Sequence, residues 1–290
     1  MLINTLKFIY THPFNNDNKI GGLIRFLKWQ LNCILNSYPI VYPYTERTKF
    51  LVCKGLTGAT GNIYCGLMEY EDMCFLLHFL RPNDVFFDIG ANVGAYTLLA
   101  SGEIGAKTIS VEPIPSTFKL LSDNIVINKL EEKVELLNVG LGNNSGIIKF
   151  TKSLDTVNHV ATDKEIDTID VTIKKMDDIS MLVPQLIKID VEGFETEVLK
   201  GAKNILSNEN LKAIIIELNG SGNRYGYDEL LIHNNLLNLG FNTYQYDPIN
   251  RRIRSVSSYG SHNTIYIKDA TFVMERISNA RKVKIGQKEI

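Results

Sequence analysis

Between Asp84 and Asn219 the chain alternates short apolar runs with stretches of helical length, and that alternation admits few folds. "DVFFDIG" reads as a strand, and "NVGAYTLLASGEIGA" as a helix with Asn92 as its candidate cap. "KTISVEP" is a second strand, followed by the helix "PSTFKLLSDNIVINK" with Pro115 in its first turn. "KVELLNVGL" is a third, "GIIKFT" and "IDVTIKKM" are further strands, and "LIKID" is the fourth main one. The helix "ETEVLKGAKNIL" and the strand "KAIIIELN" follow, and "FNTYQYDP", "RRIRSV" and "NTIYIKD" suggest an antiparallel finish. Strands that alternate with helices imply an α/β, doubly wound, mostly parallel sheet.

The flanks read differently. Residues 1–66 are expected to form an N-terminal helical arm with a lead-in strand, 67–270 the main domain, and 271–290 a polar, basic tail in solvent. In the arm, Ile20, Leu23, Ile24, Leu27, Leu31, Ile34 and Leu35 recur at helical spacing, with Lys19, Arg25 and Lys28 off the stripe. That predicts a helix packed on the main domain; the apolar face and basic flank are also compatible with a membrane-surface or partner helix. "KFLVCKGL" reads as a strand, "TGATGN" as a turn, and Met68 to Leu80 as a helix.

Composition narrows the class. With 290 residues, 44% of them hydrophobic, the chain can bury one large core. A net charge of -1 gives no electrostatic footprint for nucleic acid. Cys33, Cys53, Cys65 and Cys74 form neither a CxxC pair nor a dense framework, which suggests reduced thiols and a cytoplasmic setting. Lys7 and His12 interrupt any signal-peptide core, and apolar runs are too short for a membrane span.

In open sheets of this kind ligands bind beyond the carboxyl ends of the strands. Those ends carry Asp88 and Gly90, Glu112, Asn138, Asp190 with Glu192, and Glu217 with Asn219. The first turn, "DIGANVG", spaces Gly90 and Gly94 as GxxxG after an acid, unlike the GxGxxG of a dinucleotide site. Asp88 there suits a ligand with an ammonium group, such as the methionine end of S-adenosylmethionine. Glu112, held extended by Pro113, stands where an acid accepts hydrogen bonds from both ribose hydroxyls. Asn138 is placed either to contact adenine or to cap a turn.

With these residues in view, the chain resembles the FkbM-type family of S-adenosylmethionine-dependent methyltransferases. The resemblance rests on "DVFFDIGANVGAYTLLAS", "ISVEPIPSTFKLLSDNI", "LLNVGLGNNSG" and above all "KIDVEGFETEVLKGA", and covers roughly Asp84 to Tyr246. It implies a Rossmann-like, class I methyltransferase fold and cofactor binding at Asp88, Gly90, Asn92, Gly94 and Glu112. It also implies O-methylation of a hydroxyl on a sugar, glycan or natural product. The implied partner is that small-molecule or glycan acceptor, with no nucleic acid. "KKMDDI" departs from the family, which more often has leucine before the paired aspartates.

Asp190 and Glu192 leave the same side of an extended chain, and two like charges that close repel. Three readings compete. One of Asp190, Glu192 and Glu217 is a general base while another orients the substrate. Or Asp190, Glu217 and Asn219 hold Mg²⁺. Or Glu192 caps the helix that begins near Phe194. Arg224 and Tyr225, in the loop "GSGNRYGYDE", are candidate acceptor contacts. His78 and His233 read as structural, while His159 and His262 could reach the crevice as bases. A nicotinamide-dependent oxidoreductase shares the sheet and Glu112, and a catalytically silent cofactor-binding domain is a further alternative.

Overall fold

The computed structural model describes residues 2–36, 38–154 and 157–290. The chain opens with two helices, α1 (Leu2–Thr11) and α2 (Lys19–Leu35), then the hairpin β1 (Ile40–Pro43) and β2 (Lys49–Val52), and helices α3 (Thr57–Cys65) and α4 (Tyr70–Phe79). β3 (Val85–Ile89) leads through α5 (Ala95–Thr97), continued as a π-helical stretch to Ile104, into β4 (Lys107–Val111). Next come α6 (Pro115–Ile127), β5 (Val134–Leu137), β6 (Gly140–Leu141), β7 (Gly146–Thr151) and β8 (Thr168–Lys174). Then follow β9 (Leu186–Ile189), α7 (Glu195–Lys200), α8 (Lys203–Ser207), β10 (Ala213–Glu217) and α9 (Glu229–Asn238). β11 (Asn242–Asp247), β12 (Arg252–Ser255), β13 (Asn263–Ile267), α10 (Ala270–Ser278) and the hairpin β14 (Lys284–Ile285) and β15 (Lys288–Glu289) complete the chain.

The main sheet has the order β12-β11-β13-β10-β9-β3-β4-β5. From β10 to β5 the pairs are parallel, and β13, β11 and β12 join antiparallel. The chain winds outward from β3 to β5, then returns to lay β9 on the other side of β3. β3 and β9 therefore flank the switch point, where the loops leave in opposite directions and open a crevice. Both faces are covered, so these strands are apolar throughout: Phe86, Phe87, Ile187, Ile189, Ile214, Ile215 and Ile216 are all buried. The doubly wound α/β expectation holds.

The predicted third strand divides at Asn138 into β5 and β6. β6 leaves the main sheet and pairs with β8, which pairs in turn with β7. This side sheet carries its own small core of Ile114, Phe150, Val171 and Ile173, and brings Phe150 to the crevice.

Several expectations fail for reasons of packing. "TGATGN" is not a turn but the start of α3, because burial of Ala59, Ile63 and Cys65 outweighs the low helix propensity of Gly and Thr. The cap before α5 is Gly94, in the left-handed region, not Asn92. Residues 271–290 are not a solvated tail. α10 buries Val273 and Ile277, the last hairpin buries Val283 and Ile285, and Arg276 pairs with the buried Asp84. The helix predicted in the arm exists, but its stripe faces outward. Ile20, Leu27, Leu31, Ile34 and Leu35 remain between 57% and 77% exposed, and α2 packs inward through Gly22, Phe26 and Trp29 instead.

Ile277→Ala should cost about 2–5 kcal/mol as a core truncation, read as a lower urea midpoint. An unchanged midpoint would return this segment to the solvated tail the sequence suggests.

Candidate functional site

A crevice of about 360 Å³ opens at the carboxyl ends of β3, β4, β9 and β10. That volume lies within the range of small-molecule sites. Its floor is the β3–α5 turn. Gly90 has φ +81°, and a Cβ there would lie 1.8 Å from the Asp190 carbonyl oxygen, so the close approach of β3 and β9 requires glycine. The backbone amides of this turn are already engaged. Gly90 N and Ala91 N donate to the Val111 carbonyl (3.0 and 2.9 Å), Asn92 N to Glu112 Oε2 (3.0 Å) and Val93 N to Asn92 Oδ1 (2.8 Å). A dinucleotide site instead aims such amides at a pyrophosphate. This turn suits a nucleoside ligand without phosphates.

Glu112 is buried and clamped from both sides, because Oε1 also accepts from Ile114 N at 2.9 Å. Burial raises its pKa to about 7, with the two amide bonds opposing the rise. Each clamped oxygen keeps a second lone pair for a ribose hydroxyl. Asp88 accepts the Thr97 hydroxyl at 2.6 Å, and burial raises its pKa to about 6. Asp88, Gly90, Asn92 and Glu112 line the crevice. Gly94 lies one turn further on and helps by shape, since a Cβ would press on Leu121 at 2.7 Å. Asn138 is turned away: its amide donates to the Glu112 and Pro113 carbonyls at 2.8 and 3.1 Å and fixes the loop behind them. The turn-capping alternative describes it, and Val139 takes its place on the wall.

At the other end lie Asp190, Glu192 and Glu217, with one carboxylate oxygen of each within 4.8 Å of the others. Beneath them is Lys188, which the sequence reading passed over. Only 2% of its side chain is exposed, and Nζ donates to Asp190 Oδ2 at 3.0 Å. Lys188 pairs in register with Asp88 across β3 and β9, so both side chains share one face of the sheet. Burial works against the Lys188 ammonium, yet Asp190, Glu69 and Glu217 more than reverse that and raise its pKa. The two glutamates go up as well. Desolvation first and Asp190 second push Glu217 to about 8 and Glu192 to about 7. Glu192 also has φ +55°, a left-handed conformation that a non-glycine residue adopts at a cost and that aims its side chain into the crevice.

Glu192 does not cap the following helix. The cap position is Phe194, which makes no side-chain cap bond, while the first helical residue, Glu195, turns back to brace the preceding loop, its buried Oε1 accepting from Val191 N and Gly193 N at 3.2 and 3.1 Å. Asn219 does not join the acids either: it is exposed and its Oδ1 accepts from Ser221 N. The Mg²⁺ set Asp190, Glu217 and Asn219 is therefore not assembled. The trio that is assembled fits a divalent ion poorly, because the Lys188 ammonium already supplies a cation at 3.0 Å and would repel another. Arg224 is exposed, its Nε donating to the Ser221 carbonyl, yet its charge reaches Glu192. Tyr225 donates to the Val160 carbonyl at 2.7 Å and packs edge-on against Phe194, pinning this loop to the connection between β7 and β8 of the side sheet. Neither lines the crevice. His78 and His233 are buried against Tyr246 and Tyr266. His159 faces Glu165, and His262 is exposed outside the crevice.

Residues 88–243, just over half of the chain, match the family described as "Methyltransferase FkbM domain". The chain belongs to the FkbM methyltransferase family. Among curated relatives, the hexuronic acid methyltransferase AglP of Haloferax volcanii is 32% identical over 156 residues, 52% of this chain and 62% of that protein. The 31-O-demethyl-FK506 methyltransferase FkbM of Streptomyces tacrolimicus is 39% identical over 69 residues, 23% of this chain and 26% of that one. The chain thus spans less than two thirds of the length of these relatives. A solved FkbM methyltransferase from Methylobacillus flagellatus superposes with a TM-score of 0.47 at 17% identity, covering 72% of this chain and 52% of that one.

Within this FkbM domain, Glu112→Ala should weaken S-adenosylhomocysteine binding by about tenfold or more, while Asn138→Ala stays within about threefold, by calorimetry. Equal losses would place Asn138 back among the ligand contacts. Stability should also track pH. Asp88, Glu112, Glu192, Glu195 and Glu217 have folded-state pKa values raised to between about 6 and about 8. The folded protein then holds more protons than the unfolded chain above the ordinary carboxyl range, so stability falls as pH rises towards 8. Thermal melts of the ligand-free protein at pH 6 and pH 8 check the sign: a higher midpoint at pH 8 would contradict it.

Proposed function

We propose that this crevice transfers a methyl group from S-adenosylmethionine to an uncharged hydroxyl on a sugar-like acceptor. The observation that carries the reading is the gathering of Asp190, Glu192 and Glu217 beside a clamped Glu112 in one crevice. When bound, S-adenosylmethionine supplies an electrophilic methyl on a sulfonium. Glu112 would hold the ribose hydroxyls and Asp88 the ammonium end, leaving the acid trio for the acceptor.

The chain's own residues then divide the work. Asp190, fixed by Lys188, accepts a hydrogen bond from the acceptor hydroxyl and sets its direction for in-line displacement. Glu192, with a pKa of about 7, is poised to take the proton near neutral pH. Glu217 shares the same charge balance, so the pKa values seen in kinetics belong to the trio and not to one member. Tyr96, whose hydroxyl donates to Glu69 at 2.6 Å, closes the far wall with Met73.

Charge supports an uncharged acceptor. Apart from Asp88 and Glu112, the crevice presents Glu69, Asp190, Glu192 and Glu217 against Lys188, the single cation lining it among the described residues. A uronate carboxylate would enter against that field. The haloarchaeal relative's name supports a sugar as the acceptor class, and the lining supports a neutral one.

Two experiments test this. In the first, labelled S-adenosylmethionine is incubated with paired alkyl glycosides and glycuronides, and products are weighed for one added methyl. The neutral member of each pair should be the better acceptor, and a consistent preference for glycuronides would contradict the reading. In the second, kcat is followed against pH: it should rise through about 7 as Glu192 ionises. Glu192→Gln should flatten that rise and lower kcat by about 10²–10⁴-fold, the usual worth of a positioned base. A variant with wild-type kcat and profile would remove Glu192 from the chemistry.

A further inference from the structure

The helical pair α1 and α2 presents an apolar face to solvent that nothing in the fold covers among the described residues. On α2, Ile20, Ile24, Leu27, Leu31, Ile34 and Leu35 form one exposed stripe, opposite the inward Phe26 and Trp29. Alongside, α1 exposes Leu2, Ile3, Phe8 and Tyr10. Between the helices runs a groove lined by Ile3, Leu6, Tyr10, Leu23, Phe26 and Leu27, with Lys7 at its edge. The two helices thus make one continuous surface and not scattered exposed side chains, and a patch of this kind marks an interaction site.

Its charge selects the partner. Neither helix contains an acidic residue, while Lys7, Lys19, Arg25 and Lys28 all lie in them, in a chain whose net charge is -1. Arg25 is committed inward, its Nη2 donating to the Tyr64 carbonyl at 2.8 Å, and Lys19 rests over the Tyr10 ring at the groove. The one acid between the helices, Asp17, is held by Lys288 at 2.8 Å. An apolar stripe edged by lysines without acids is the pattern of a helix lying in a lipid–water interface. It does not cross the bilayer, since no helix among the described residues is long and apolar enough to do so.

We infer that α1 and α2 form a peripheral membrane-binding face that docks on a bilayer bearing anionic headgroups. The stripe would enter the acyl boundary, and Lys7, Lys19 and Lys28 would meet the headgroups. The face is coupled to the crevice by one layer of structure. His12 Nε2 bonds the Met68 carbonyl at 2.9 Å, and Met68 lines the crevice together with Gly58 and Asn62 of the helix on which α2 packs. Docking would therefore hold the crevice near the membrane surface.

Co-sedimentation of the full chain with phosphatidylcholine vesicles, with and without phosphatidylglycerol, tests this. Binding should require phosphatidylglycerol and weaken with added salt. Ile24→Glu/Leu27→Glu/Leu31→Glu should lower the bound fraction by about tenfold, with S-adenosylhomocysteine affinity and the thermal midpoint unchanged. Lys7→Glu/Lys28→Glu, which leaves the apolar stripe intact, should also abolish the preference for anionic vesicles and guards against a misfolded triple variant. Wild-type protein that stays in the supernatant with both vesicle types would overturn the proposal. So would a concentration-dependent dimer, by light scattering, that the glutamate variant dissociates, because the face would then belong to a second copy.

Discussion

The ammonium of Lys188 is the charge on which the carboxyl edge of the sheet depends. A strand buried on both faces has no use for a lysine unless something inside needs a cation. Several carboxylates draw on it: Asp190 by direct bond, and Glu69, Asp72, Asp88, Glu192 and Glu217 through the field. Without it, Glu192 and Glu217 would stand beside Asp190 in a poorly hydrated crevice with only like charges for company, and their pKa values would rise further. Lys188 offsets part of that rise and so favours the ionised forms of Glu192 and Glu217. It also works against a divalent cation among the three acids, which would have to displace or oppose it.

The same edge explains the backbone strain. Glu192 and Asn92 both have positive φ and both sit where a strand turns into the crevice. Glu195 and Glu112 hold those turns by accepting backbone amides, so buried carboxylates serve as structural clamps while their neighbours face the ligand space. The acidic run after β9 is therefore two things at once. Asp190 and Glu192 are presented to the crevice, and Glu195, one turn later, builds the bend that presents them.

What the sequence disclosed follows from where its information lies. The sheet was legible because buried parallel strands are unbroken apolar runs, and the position of Glu112 and Asp190 followed from strand ends alone. Lys188 was visible only as an interruption in "LIKID", since its meaning lies in partners on other strands. Asn138 stayed undecided because a strand-end amide serves a loop or a ligand equally well, and only the split between β5 and β6 decides. The capping alternative for Glu192 could not be settled from sequence, because it depends on the left-handed backbone at Glu192, which aims the side chain into the crevice and not at the helix. The arm stripe was read with the right period and the wrong direction: periodicity tells which residues share a face, not what that face meets. The last twenty residues looked polar because their buried side chains are spaced among lysines and arginines.

The central claim, that the Lys188 ammonium holds down the pKa values of Glu192 and Glu217, is open to a direct titration. Carboxyl-detected ¹³C NMR of labelled glutamates would follow Glu192 and Glu217 with pH in the wild type and in Lys188→Met, which keeps an unbranched side chain one atom shorter and removes the charge. Lys188 lowers both values in the intact protein. Its removal should move both titrations to higher pH. Titrations that stay in place, or move to lower pH, would contradict the account.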